Sequence, residues 1–148
     1  FVVVVNDGRT KEKLGEIKRS YNASWTPDTG EGRAKLDAQQ NAFKDCTTLL
    51  FYTFAPEADD PHVADAGSVW LLIENLCLAA VEENLGTQIV GFGGDFAKEV
   101  DKVLGVPEKY RLVAAVNMGH PHPEYKIPEK TLKPKSEWIF KEEWNENN

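Results

Sequence analysis

The sequence predicts an α+β or α/β domain built on one sheet, and three features carry that expectation. Four short runs rich in β-branched and aromatic residues alternate with helical stretches. One helical stretch, from about Ala66 to Asn84, is apolar over much of its circumference. The Pro- and Lys-rich C-terminal stretch carries Trp138, Ile139, Phe140 and Trp144, aromatic content that must dock on something apolar.

The elements follow in chain order. Phe1 to Val5 is an unbroken apolar, largely β-branched run, the pattern of a strand covered on both faces, and Asn6-Asp7-Gly8 ends it with turn chemistry. Thr10 is positioned to cap a first helix, in which Leu14, Ile17 and Tyr21 form a narrow apolar stripe with Lys and Glu on the outer face. Pro27, Gly30 and Gly32 break any regular pattern, so Ser24 to Arg33 reads as a loop. A short helix is expected from about Ala34 to Phe43, then a second strand over Thr47 to Phe54.

Pro56 and Pro61 make Ala55 to His62 a loop, after which the long apolar helix runs until Leu85-Gly86 stops it. Its apolar girth argues for a central helix buried between other elements. Thr87 to Phe92 reads as a third strand running into Gly93-Gly94, and Asp95 as the cap of an amphipathic helix carrying Phe96, Val100, Val103 and Leu104. Gly105 and Pro107 end that helix, and Leu112 to Met118 is the fourth strand, closed by Gly119-His120-Pro121. There is no internal repeat.

A chain of 148 residues is one domain's worth, long enough to bury roughly 70% of the surface its unfolded form exposes. Its net charge of -7 disfavours nucleic acid and anionic membrane, the one modest basic concentration lying near Lys130, Lys133 and Lys135. The most apolar stretch, Val69 to Val81, is interrupted by Glu74 and Asn75 and is too short and too polar to span a bilayer. Cys46 and Cys77 have no CxxC spacing and no His beside them, so they read as buried small hydrophobes rather than a disulfide or a metal site, which suits a cytoplasmic protein. The first residue is Phe1, not Met, and a strand begins there at once with no lead-in, a run too short to read as a secretory h-region. The natural protein is therefore expected to begin upstream.

Several blocks resemble the nitroreductase family, in the family's own order. Asp65-Ala66-Gly67, Asn75-Leu76-Cys77-Leu78-Ala79-Ala80 and Leu85-Gly86-Thr87 are similar to its DAG, NLxLAA and GLGT patterns on the central helix and following strand. Val103-Leu104-Gly105-Val106-Pro107-Glu108 resembles its LGIPE helix end, and Val116 to Pro121 its strand ending in GYP. Lys133-Pro134-Lys135 with Glu137-Trp138-Ile139 and Trp144 is similar to the basic pair and docking tail of many members. Phe1 to Val4 looks like the strand after the family's PSxxNxQPW segment; that segment and the Arg-rich helix before it do not precede Phe1 here.

The resemblance implies an α+β nitroreductase-like fold with a mixed or antiparallel sheet flanked by helices, in a single domain over residues 1–148 that lacks its N-terminal, phosphate-gripping segment. About 40 further residues with paired Arg or Lys are expected upstream, by comparison with ordinary domain sizes. It also implies an obligate homodimer, FMN at each of two interface sites, and NAD(P)H as electron donor. The acceptor would be a small molecule such as a nitroaromatic or quinone, reduced in a ping-pong cycle. The flavin supplies the chemistry and no protein nucleophile is required.

The resemblance also places the flavin contacts. The loop Val90, Gly91, Phe92, Gly93 and Gly94 would lie against the isoalloxazine, with a backbone N–H at Val90, Gly91 or Phe92 meeting its N5. Lys133 and Lys135 would reach the FMN phosphate. His120 becomes a variant of a loop aromatic, Asp65 a helix cap, Asn75 a buried hydrogen-bonding residue, and Trp70, Trp138 and Trp144 core or dimer contacts. Two other readings stay open: a non-catalytic relative that holds flavin or another ligand, and a relative performing another flavin reaction, such as dehalogenation, dehydrogenation of a peptide heterocycle or flavin breakdown. The short stretch from Ala55 to Asp65 leaves little material for a lid and implies an open, unselective pocket.

Overall fold

Eight elements build the chain in this order: β1 (Val2–Val5), α1 (Gly8–Ala23), α2 (Gly30–Asn41), β2 (Thr47–Phe54), α3 (Val63–Glu82), β3 (Gly86–Val90), α4 (Asp95–Leu104) and β4 (Tyr110–Gly119). They come from a computed structural model that describes residues 1–55, 63–126, 129, 131–134 and 139. The strands form one antiparallel sheet in the order β1-β2-β4-β3. The long β2–β4 pair occupies the middle, with Leu50 opposite Ala115 and Leu49 opposite Val116.

Because neighbouring residues of a strand point to opposite faces, β2 and β4 feed two separate cores. On one face Leu50, Tyr52 and Ala115 meet Leu14 of α1, Phe43 beyond α2, and Val100 of α4. On the other, Leu49, Phe51, Ala114 and Val116 meet Ile73 of α3, with Val69, Leu76 and Cys77 packed alongside. This covering of both faces explains why TTLLFYTF reads as a continuous run rather than an alternating one. A buried polar link ties the middle to α2: Thr48 Oγ1 donates to Asn117 Oδ1 at 2.7 Å, and Asn117 Nδ2 donates to the Ala42 carbonyl at 3.3 Å.

The α+β class and the antiparallel sheet agree with expectation, while several local readings need correction. The first strand is not covered on both faces: among the described residues it is an edge strand paired only with β2, and Val2 and Val4 are exposed. Its β-branched run reports strand propensity, which neighbours elsewhere in the chain do not have to reward. Asp7, not Thr10, caps α1, its carboxylate accepting the Thr10 N–H at 2.8 Å. The second helix starts at Gly30, inside the expected loop, because the Thr29 hydroxyl accepts from the Gly32 N–H. Only glycine fits at 32, where a Cβ would stand 2.0 Å from the Pro27 carbonyl oxygen.

Asp65 lies within the first turn of α3 rather than capping it, a place where a carboxylate still meets the helix dipole favourably. Asn75 is exposed, not buried. The described residues do not enclose the helix: Ile73 and Ala80 are buried against the sheet, while Leu71 and Val81, outside that face, are each 70% exposed. Trp70 is half exposed, and Trp138 and Trp144 lie outside the described residues. The two thiols are free and partly buried. No helix among the described residues is long and apolar enough to cross a membrane.

Candidate functional site

The glycine cluster Gly91 to Gly94 leaves the end of β3 and enters α4, and each of its residues has a distinct geometric reason. Val90, the last strand residue, pairs with Ala115 and buries its side chain in the core shared with Leu14 and Phe43. Gly91 is exposed, and a Cβ placed on it would meet nothing within 4 Å. Phe92 turns back against the same core, its ring 6.3 Å from that of Phe43. Gly93 passes so close to α1 that a Cβ there would stand 2.9 Å from the Tyr21 hydroxyl. Gly94 occupies the N-cap position of α4 with φ 55°, a backbone state suited to glycine. Asp95, expected as the cap, is the first helical residue instead and pairs with Lys98 at 3.1 Å.

One side chain reaches the loop from 73 residues away in sequence: Lys18 of α1, whose Nζ donates to the Gly91 carbonyl at 2.8 Å. The same ammonium lies 4.8 Å from the centroid of the Tyr21 ring and 5.7 Å from that of Phe92. Burial pushes its pKa below the ordinary lysine value. The apolar stripe of α1 predicts its Lys residues on the outer face. Lys18 is instead one turn beyond Leu14 and one turn before Tyr21, on the stripe's own side, and that spacing was the signal available for it. Lys18 also borders a small hollow of about 160 Å³ with Gln39, Phe43, Gln88, Ile89 and Val90. It is a polar rim beside an apolar strand end.

Behind the loop, between α4 and β4, a larger cavity of about 780 Å³ is bordered by Phe92, Ala97, Asp101, Val106, Arg111 and Leu112. Asp101 is the chemically unusual group there. Burial raises its pKa above the ordinary carboxylate value, against the opposing pull of the Tyr52 hydroxyl and of Arg111. Burial and the Asp101 charge likewise push the Tyr52 phenol upward. The Tyr52 hydroxyl and Asp101 Oδ1 are both buried, and the phenol and the carboxylate influence each other. Neither residue was singled out from the sequence, where an Asp on an amphipathic helix looks like any solvated one.

Of the remaining expected residues, Lys133 is exposed on the stretch beyond β4, and Lys135 lies outside the described residues. Their joint contact with a phosphate continues to rest on the resemblance. His120 and His122 are exposed, and His122 Nδ1 accepts the Glu124 N–H at 3.2 Å, a turn contact. Among the described residues no three His, Cys, Asp or Glu side chains gather as a metal site would need.

A two-cored antiparallel sheet, a long helix across one face and a glycine loop ending a strand at the sheet's edge make up an α+β domain. The model of the nitroreductase family matches residues 1–120, and the chain belongs to that family. Among solved structures it is similar to nitroreductase A from Vibrio parahaemolyticus (18% identity, TM-score 0.74), covering 100% of this chain and 59% of that one. It is also similar to the NADPH:FMN oxidoreductase from Vibrio harveyi complexed with NAD+ (19% identity, TM-score 0.73), covering 100% of this chain and 60% of that one. A third likeness is to iodotyrosine deiodinase bound to FMN and 3-iodo-L-tyrosine (22% identity, TM-score 0.60), covering 90% of this chain and 74% of that one. At these identities the likenesses speak for the fold, and the chain spans under two thirds of the length of the two Vibrio proteins. Comparison with curated proteins gives no match.

Proposed function

We propose that this domain serves an FMN-dependent oxidoreductase that passes hydride from NAD(P)H to a small acceptor such as a nitroaromatic or quinone by a ping-pong mechanism. The observation that carries the reading is Gly91: exposed, at the end of β3, with nothing within 4 Å of where a Cβ would sit. A flat ring can therefore approach the backbone there to van der Waals distance. Bound FMN supplies the hydride-carrying chemistry. The chain's own residues supply the rest: Gly91 to Gly94 offer backbone amides to the ring edge, Phe92 and Ile89 offer apolar surface, and Lys133 and Lys135 offer positive charge to the phosphate. The Vibrio harveyi NADPH:FMN oxidoreductase complexed with NAD+ and the deiodinase bound to FMN support the choice of cofactors.

The second part of the proposal is a homodimer. Leu71, Leu78 and Val81 lie on the outer side of α3, and all are more than half exposed. A second copy is the partner whose matching face would cover them, and the two flavin sites would lie along that interface.

The test is direct. Protein purified in the presence of FMN should carry a flavin absorption spectrum that bleaches when NADPH or NADH is added without oxygen and returns when a quinone follows. Flavin that binds but never bleaches would favour the non-catalytic reading. Protein that takes up no flavin would refute the proposal.

A further inference from the structure

We propose that Lys18 is the positioning residue of the Gly91–Gly94 loop: by holding the Gly91 carbonyl it presents the Phe92 N–H on the side of the loop facing away from α1. This rests on the flavin reading above for what the N–H meets, and on geometry alone for how it is held.

Across a trans peptide the carbonyl and the following N–H point in opposite directions, and no cis peptide occurs among the described residues. Lys18 Nζ fixes the Gly91 carbonyl toward α1 at 2.8 Å, so the Phe92 N–H is turned outward. Among the described residues no acceptor takes that N–H. It is a donor held in place and left available, at the residue next to the open Gly91.

The surroundings make the brace stiff. Lys18 sits against two aromatic faces, a setting in which a partly desolvated cation keeps its charge at reduced cost. Tyr21, one of those faces, is itself wedged between Trp25 and Phe96, with ring centroids 4.4 and 5.5 Å away. Gly93 lies against the Tyr21 hydroxyl and keeps the loop seated on it. Among the described residues the strand that delivers the loop, β3, is hydrogen-bonded only to β4, and the support the loop receives from the other direction is a helix. Lys18 supplies it, and the charge adds a second effect: an ammonium on the carbonyl polarises the peptide and strengthens the N–H at its far end as a donor. An apolar residue at 18 would fill the same space without either consequence.

Two variants separate the brace from mere packing: Lys18→Met, which keeps length and loses the charge, and Lys18→Arg, which keeps it. In protein free of flavin, the amide NMR resonances of Phe92 and Gly93 should move in Lys18→Met and return toward the wild-type position in Lys18→Arg, while those of α2 stay put. With FMN added, Lys18→Met should weaken binding by about tenfold and lower the reduction potential of the bound flavin, both restored by arginine. Wild-type protein that binds no FMN would sink the function proposed above, and the amide measurement would then decide the brace by itself. Unmoved Phe92 and Gly93 resonances in Lys18→Met overturn the brace. Moved resonances with unchanged FMN affinity and potential, in wild-type protein that does bind FMN, overturn its role toward the flavin.

Discussion

Replacing Gly91 and Gly105 by valine separates the fold from the site, because the two glycines have equally open space but different backbone states. At Gly91 an added Cβ meets nothing within 4 Å and φ lies outside the left-handed region, so the folded domain has no reason to resist the change. Its melting temperature should move by no more than about 1–2 °C. At Gly105 the space is equally open, but φ is +66° because the residue closes α4 in the left-handed state. Forcing a β-branched residue into that state costs roughly 1–2 kcal/mol, or about 3–6 °C for a domain of this size. Flavin binding should show the reverse order. Valine at 91 pushes a ring off the backbone, and losing a hydrogen bond there is worth roughly 1–1.5 kcal/mol, about a tenfold rise in Kd. Thermal melts and titrations that follow quenching of FMN fluorescence read the two effects separately. Equal FMN affinity in both variants, or a melting loss in Gly91→Val as large as in Gly105→Val, would refute the assignment of the loop.

Three further expectations test other parts of the structure. Asp101 has its folded pKa raised, so the stability it contributes is full below the ordinary carboxylate value of 3.8 and lost as pH rises through the folded value. Asp101→Asn should therefore melt higher than wild type near neutral pH, by on the order of a few degrees, with the gap closing in acid; a gap that widens in acid contradicts the burial argument. Gly32→Ala would bring a methyl to 2.0 Å from the Pro27 carbonyl oxygen, and the shift of backbone needed should cost roughly 1–3 kcal/mol in a denaturant melt despite alanine's better helix propensity. An alanine variant as stable as wild type would show that the α1–α2 turn yields freely. Finally, Leu71→Glu combined with Val81→Glu places two charges on the outer side of α3 and should convert a dimer into monomers on a sizing column at micromolar concentration; a wild-type protein already monomeric there would end the dimer proposal.

How much of this was legible depended on whether the controlling contact was local. The eight elements and their order follow from runs such as TTLLFYTF and from Gly105 after α4, because strand and cap chemistry is written within a few residues. Caps themselves slipped by as much as three positions: Asp7 and Thr10 both carry a capping oxygen, and only the backbone at Asp7 decides between them. Phe1 to Val5 shows a different limit. Its composition matches that of a strand covered on both faces, yet what covers a strand is contributed by distant segments, and here β1 ends at the sheet's edge. The glycine loop was visible as a cluster, while Lys18 was not, since nothing in a helix's own pattern announces a carbonyl brought to it from 73 residues away. Asp101 and Tyr52 were hidden for the same reason, each ordinary in its own element and unusual only when facing the other.

The sheet's order has a consequence for how the molecule opens. Among the described residues its inner strands, β2 and β4, are hydrogen-bonded on both sides, while β3 is bonded on one side only and hands the glycine loop forward from that position. Amide hydrogen exchange should accordingly rank the molecule from the edges inward, with β2 and β4 opening only when the whole domain does and β3 opening in smaller, cheaper excursions. Each such excursion dissolves the loop's geometry while leaving the global melt untouched. The fraction of time the loop is assembled is thus set by local opening of one edge strand rather than by the domain's overall stability, and a bound ring would act first as a clasp on that strand.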